Sequence, residues 1–93
     1  PDDLVRRAVI QALMCHFAVA VESIELAYLI DFRKYFAYEI EQLQAYAREG
    51  LVEIDDEWIT VTPKGRLMVR AISMIFDQHL RTTETRARYS KVV

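Results

Sequence analysis

The sequence contains little cysteine, glycine or proline. Its 93 residues include one Cys, two Gly and two Pro. A single cysteine excludes an internal disulfide, and it excludes a zinc or iron–sulfur site that takes three or four thiolates from this chain. Two glycines are fewer than the three of a dinucleotide-binding fingerprint, and neither belongs to a phosphate-binding loop. The composition therefore excludes an internal disulfide, a metal site of three or four thiolates, and these two nucleotide-binding motifs.

Long hydrophobic runs are also absent. Runs such as residues 17–21 are far shorter than the roughly 20 residues of a membrane-spanning helix, and the chain does not open on a signal-peptide pattern. We therefore expect a soluble, cytoplasmic protein with no membrane span. With 53% hydrophobic and 28% charged residues, the composition is that of one globular domain. The chain begins with Pro1 rather than Met, so we expect a piece of a longer protein.

Apolar spacing predicts four helices and a hairpin. In the first helix, apolar residues recur every fourth position from Val5 to Phe17, and we expect other elements to surround it on most sides. Asp31 is the expected N-cap of the third helix, Gly50 its C′ residue, and Thr62 the N-cap of the fourth. The predicted elements are helices over 2–18, 23–29, 32–49 and 63–81, a β-compatible link over 19–21, and strands over 51–54 and 58–61. A tight acidic connection, residues 55–57, joins the two strands. The fourth helix is expected to bury its apolar residues, Leu67, Met68, Ala71, Ile72, Ile75 and Phe76.

This order of elements is that of a winged-helix domain. We predict a mainly α fold with a small β-hairpin, about four helices plus a wing of two or three strands, over residues 1–81. A basic C-terminal tail follows over residues 82–93. Trp58 is expected to pack the wing onto the core. Cys15 and His16 are expected in the core, and His79 near a helix C-terminus.

Charge argues against a nucleic-acid partner. The third helix, residues 31–50, has three cations and four anions, and the hairpin, residues 51–62, has four anions and no cation. A phosphate-binding surface needs a basic stripe, so we expect no nucleic acid. Positive charge is concentrated in residues 63–93, with seven cations against two anions. This end is either a solvated basic segment or a contact for an acidic partner or ligand.

The third helix carries an apolar stripe away from its core face. Rotation by about 100° per residue places Tyr38 outward, with Tyr35 and Gln42 nearby. Either the fourth helix or the tail covers this stripe, or it docks on another domain, since aromatic residues are enriched in interface cores. These three residues are our interface candidates.

Several segments together resemble one enzyme family. They are Arg6–Cys15 (RRAVIQALMC), Ile30–Phe36 (IDFRKYF), Gly50–Glu53 (GLVE), Val61–Arg66 (VTPKGR) with Val69-Arg70, and Arg88–Lys91 (RYSK). Together they resemble the C-terminal domain of bacterial oxygen-independent coproporphyrinogen III oxidases. The likeness covers nearly the whole chain. The hairpin and the TPKGR segment are shared by many winged helices, whereas the Leu-Met-Cys helix and the Asp-Phe-Arg-x-Tyr-Phe helix start are specific.

The resemblance implies a parent radical S-adenosylmethionine enzyme of haem biosynthesis. Such enzymes oxidatively decarboxylate two propionates of coproporphyrinogen III to vinyl groups, giving protoporphyrinogen IX. The implied cofactors of the parent are S-adenosylmethionine and a [4Fe-4S] cluster on a C-x-x-x-C-x-x-C motif in a catalytic barrel. This chain has only Cys15, so we expect no catalytic, cofactor-binding or metal residue in it and no activity alone.

Two functional interpretations follow. In the first, the chain is an accessory domain, monomeric, that docks on the barrel of its own parent chain and helps to close the substrate site. Arg86 and Arg88 would then lie near the acidic porphyrinogen, because carboxylates favour guanidinium partners. In the second, the chain is a stand-alone winged-helix module that binds DNA or protein.

Overall fold

The computed structural model describes residues 2–77. In that range it confirms a mainly helical fold with a small antiparallel sheet. The predicted boundary at residue 81, the tail over 82–93 and His79 lie outside the described residues. The elements, in chain order, are α1 (Asp2–His16), β1 (Ala18–Ala20), α2 (Val21–Tyr28), α3 (Phe32–Tyr35), α4 (Ala37–Arg48), β2 (Val52–Ile54), β3 (Trp58–Val61), a 3₁₀ helix (Lys64–Met68) and α5 (Val69–Met74).

The sheet has three strands in the order β1-β3-β2. The link predicted over 19–21 is strand β1, one residue earlier, and it pairs antiparallel with β3, Val19 opposite Ile59. Side chains alternate across a strand. Ile59 and Val61 face the core, so Trp58 points the other way and is 45% exposed. The prediction that Trp58 packs the wing onto the core is therefore wrong.

An aspartate organises the turn of the β2–β3 hairpin. The Asp55 carboxylate accepts hydrogen bonds from the backbone N–H groups of Glu57 and Trp58, at 2.8 and 2.7 Å. These two bonds lower the pKa of Asp55 below its ordinary value. Such side-chain-to-backbone bonds favour Asp at a turn start. The short acidic connection predicted between the strands is therefore a hydrogen-bonded turn.

The predicted third helix is two helices. It breaks at Phe36, whose backbone has φ −108° and ψ 30°, between α3 and α4. Phe32 and Phe36 are both fully buried, with ring centroids 4.9 Å apart. Asp31 makes no side-chain capping bond at the start of α3. The first backbone N–H there, that of Phe32, instead donates to the carboxylate of Glu25, at 2.9 Å. Asp31 is therefore at the predicted N-cap position, but its side chain does not form the cap.

The predicted fourth helix begins as a 3₁₀ turn. It begins at Lys64 with Pro63 as its N-cap, one residue later than predicted, and the Thr62 hydroxyl accepts from Gly65 N–H at 3.1 Å. Ile72 and Phe76 are buried as predicted, whereas Leu67 is 96% exposed, and Met68 and Ala71 are exposed too. A 3₁₀ helix has 3.0 residues per turn instead of 3.6, so the apolar phase expected of an α-helix is lost there.

Gly65 provides the close approach between the 3₁₀ turn and the start of β2. A Cβ at this position would lie 1.9 Å from the backbone oxygen of Leu51. Because that obstacle is backbone, only glycine fits without moving one of the two segments.

One face of α1 is buried, rather than most of its surface. Val5, Val9 and Leu13 lie in the core as the spacing predicts. Cys15 and His16 are exposed, so the predictions that placed them inside are wrong. Cys15 lies about 120° around the helix from the core face. His16 is in phase with that face but is the last residue of α1.

Among residues 2–77, two non-glycine residues adopt the left-handed conformation, Phe17 and Leu29. This conformation costs an L-residue about 1–2 kcal/mol. Phe17 packs against the core, and the Arg66 guanidinium lies 4.4 Å from its ring centroid. Leu29 follows the last residue of α2 with φ 56° and ψ 50°, and it is 89% exposed. Their side chains therefore have opposite environments.

Candidate interdomain surface and the buried charge beside it

Tyr35 connects α3 to the first turn of α1. Its hydroxyl donates to the Asp2 carboxylate at 2.5 Å, and its ring packs edge-on against Phe36. The bond to Asp2 is the largest cause of a raised pKa for the Tyr35 hydroxyl, followed by burial. The ring is 37% exposed. Tyr35 is thus an aromatic group fixed at one end and accessible at its surface.

The other two interface candidates lie on α4. Tyr38 is half-buried, and Gln42, four residues later on the same helical face, is exposed. The stripe predicted from the sequence is therefore partly covered by the domain itself at Tyr38 and accessible at Tyr35 and Gln42. Its role as an interface remains a prediction.

A buried ion pair lies beneath this stripe. Arg6 Nη1 donates to Glu39 Oε2 at 2.6 Å, and both side chains are buried. Arg6 Nε contacts both carboxylate oxygens of Asp2 at 2.9 Å, and Nη1 also donates to the Phe76 carbonyl at 3.2 Å. The guanidinium carbon lies 5.4 Å from the Phe36 ring centroid. One side chain thus joins α1, α4 and the residues that follow α5.

The electrostatics keep Arg6 charged. Burial lowers its pKa, but the hydrogen bonds and charges of Glu39 and Asp2 raise it further, so the pKa is raised overall. A buried carboxylate opposite a guanidinium is stable only when such bonds are present.

Sequence reasoning missed the role of Glu39, although a signal was present. Glu39 is three residues after Phe36 and four before Leu43, so it lies in phase with the core face of its helix. An acidic residue in a core phase indicates a buried partner. On α1, Arg6 lies four residues after Asp2, and this cation is a candidate partner for Glu39.

The described residues contain no assembled metal site. Within residues 2–77 no three His, Cys, Asp or Glu side chains are grouped so as to hold a metal ion. The chain's single cysteine, Cys15, does not fit a [4Fe-4S] cluster, so no step of cluster chemistry is assigned to these residues. None of the helices in that range is long and apolar enough to cross a membrane. Arg86 and Arg88 lie outside the described residues.

These features define a small helical domain with a three-stranded sheet, built around a buried ion pair and bearing a partly exposed aromatic stripe. The chain belongs to the HemN C-terminal domain family, whose model matches residues 1–68. The family resemblance inferred from the sequence is thus confirmed.

Relatives and a solved structure agree with this assignment. The chain is 49% identical over 92 residues to the oxygen-independent coproporphyrinogen III oxidase of Pseudomonas aeruginosa and 40% identical over 92 residues to that of Escherichia coli. Both matches cover 99% of this chain and 20% of the relative. The structure of E. coli coproporphyrinogen III oxidase (HemN), described as a radical SAM enzyme, matches with TM-score 0.81 and 42% identity, over 84% of this chain and 18% of that one.

The chain therefore spans about a fifth of the length of the curated relatives it matches. These matches lend no support to a stand-alone DNA- or protein-binding module.

Proposed function

We propose that this chain is the accessory C-terminal domain of an oxygen-independent coproporphyrinogen III oxidase. The observation that carries the proposal is the 49% identity along 99% of the chain to one fifth of such an enzyme. The parent would act in the cytoplasm, as a monomer, with S-adenosylmethionine and a [4Fe-4S] cluster. It would convert coproporphyrinogen III to protoporphyrinogen IX. This chain would contribute packing and closure of the substrate site, without activity of its own.

Docking on the catalytic barrel through Tyr35, Tyr38 and Gln42 is part of this proposal. The Asp2 bond fixes the Tyr35 ring before docking, so less side-chain entropy is lost on association. Hydrogen exchange measures the protection of backbone amides that docking is expected to cause. Amides of α3 and α4 should exchange more slowly in the full-length enzyme than in this chain, and equal rates would contradict docking through this stripe.

Arg86 and Arg88 are proposed to lie near the carboxylates of the porphyrinogen. Guanidinium groups form paired hydrogen bonds with carboxylates, which a tetracarboxylate substrate offers several times. Changing each arginine to Gln in the full-length enzyme should raise KM for coproporphyrinogen III more than it lowers kcat. An unchanged KM would contradict the assignment.

Truncation tests the proposed function as a whole. A parent enzyme that ends just before Pro1 should retain its cluster absorbance and lose most of its conversion of coproporphyrinogen III. This chain alone should show no conversion. The retained absorbance serves as the control for an intact barrel, and full activity of the truncated enzyme would overturn the proposal.

A further inference from the structure

The end of α2 combines two unfavourable features at one residue. Leu29 holds a left-handed backbone, and its side chain is 89% exposed. Glycine or asparagine would adopt this backbone more easily. Phe17, the other left-handed residue, contributes its ring to the core. The left-handed backbone of Leu29 ends α2. Its side chain makes no comparable contribution to the core within residues 2–77.

Leu26 extends the apolar surface of Leu29. It lies three residues earlier on α2, on the side away from the buried Ile24, and it is 71% exposed. Leu29 is the cap residue directly after α2, so both leucines lie at the same end of the helix. The two leucines, which we call the α2 corner, therefore present two exposed apolar side chains at that end.

We propose that the α2 corner docks on the catalytic part of the chain's own parent enzyme. This inference rests on the proposed function and extends its docking surface beyond the tyrosine stripe. The matched relatives are about five times longer than this chain, so about four fifths of such a parent lies outside it and is available as the partner.

The small size of the corner favours a partner on the same chain. A stable interface between separate molecules buries roughly 800 Å² on each side, far more than two leucine side chains offer. A tethered partner is present at a high effective concentration, so a small apolar contact is sufficient. A second copy of this chain would lack that advantage.

Cleavage of the connection tests the proposal in the full-length enzyme. A protease site is placed just before Pro1, the enzyme is cut, and retention of the released domain by the catalytic part is measured by size-exclusion chromatography and titration. The test variant is Leu26→Gln with Leu29→Asn, because Gln is a good helix former and Asn tolerates the left-handed backbone. The matched control is Leu67→Gln on the 3₁₀ turn, a leucine that is at least as exposed.

If the α2 corner is a docking site, we expect three results. The wild-type domain and the Leu67→Gln domain remain bound after cleavage, and the double variant binds about tenfold more weakly or worse. Wild-type affinity in the double variant, or equal weakening by Leu67→Gln, overturns the inference while the proposed function stands. Separation of the wild-type domain from the catalytic part overturns both the docking through the α2 corner and the docking in the proposed function. A released domain that forms a dimer sensitive to the same substitutions shows that a second copy is the occupant, and it overturns the inference as well.

Discussion

The Arg6–Glu39 pair and the α2 corner depart in opposite directions from the usual distribution of residues. The first places two charges inside the domain, and the second leaves two leucines in water. The charges are compensated locally, through Asp2, the Phe76 carbonyl and each other. The leucines have no such compensation within residues 2–77. An unusually placed residue whose interactions are made within the domain thus contributes to the fold. One without such interactions indicates a contact outside the domain.

The largest effect is expected when the buried pair loses one member. Glu39→Ala leaves the buried Arg6 with its bonds to Asp2 and the Phe76 carbonyl but without its buried carboxylate partner. Removal of one partner of a buried pair typically costs about 3–5 kcal/mol. Urea denaturation of this chain measures the loss of unfolding free energy. The control is Arg6→Met with Glu39→Leu, which removes both charges and should recover most of the stability. A loss below about 1 kcal/mol in Glu39→Ala would show that the pair contributes little.

A smaller effect, of opposite sign, is expected at the α2 corner. Leu29→Gly relieves the left-handed strain and introduces the entropy cost of glycine, for a net gain of about 0.5–1 kcal/mol in this chain. Its melting temperature should rise by roughly 2–8 °C, measured by circular dichroism. Leu67→Gly serves as the control, since Leu67 has no positive φ to relieve and should give no rise. A lower melting temperature for Leu29→Gly would mean that Leu29 already stabilises the isolated chain.

The smallest effect concerns the exposed end of the ion-pair network. The folded state raises the pKa of Tyr35, mainly through its bond to Asp2. A raised pKa contributes stability that is fully present below the unfolded value, about 10, and is lost as pH rises through the folded value. The wild-type chain should therefore lose stability above about pH 10 more steeply than Tyr35→Phe. Parallel pH profiles from thermal melts would show that the Asp2 bond is not maintained in solution.

The fold was predictable where the determinants are local. The period of Val5, Val9 and Leu13 indicates α1, and Thr62-Pro63 marks the start of the next helical segment. The hairpin and its acidic turn also follow from neighbouring residues. Of the candidate site, the placement of Tyr35 and Gln42 at the surface was predictable from helical rotation alone.

The remaining features depend on contacts distant in sequence. The buried Glu39 is paired with Arg6, 33 residues away, and the 3₁₀ start of the last helical segment lies where Gly65 approaches the Leu51 backbone. The outward orientation of the Trp58 side chain depends on which face of β3 packs against the core. Helical periodicity contains none of these pairings, so its prediction that Leu67 and Met68 lie in the core is wrong.

The strand order β1-β3-β2 also has a consequence for the order of folding events. β2 and β3 are joined by a short turn, whereas Ala18 of β1 meets Thr60 of β3 across about forty residues. Closing a longer loop costs more chain entropy, so the hairpin is the local event and the joining of β1 is the non-local one. That second event encloses α2, α3 and α4 within one loop. We therefore expect the domain to become a single cooperative unit when the three-residue edge strand β1 pairs with β3 at the centre of the sheet.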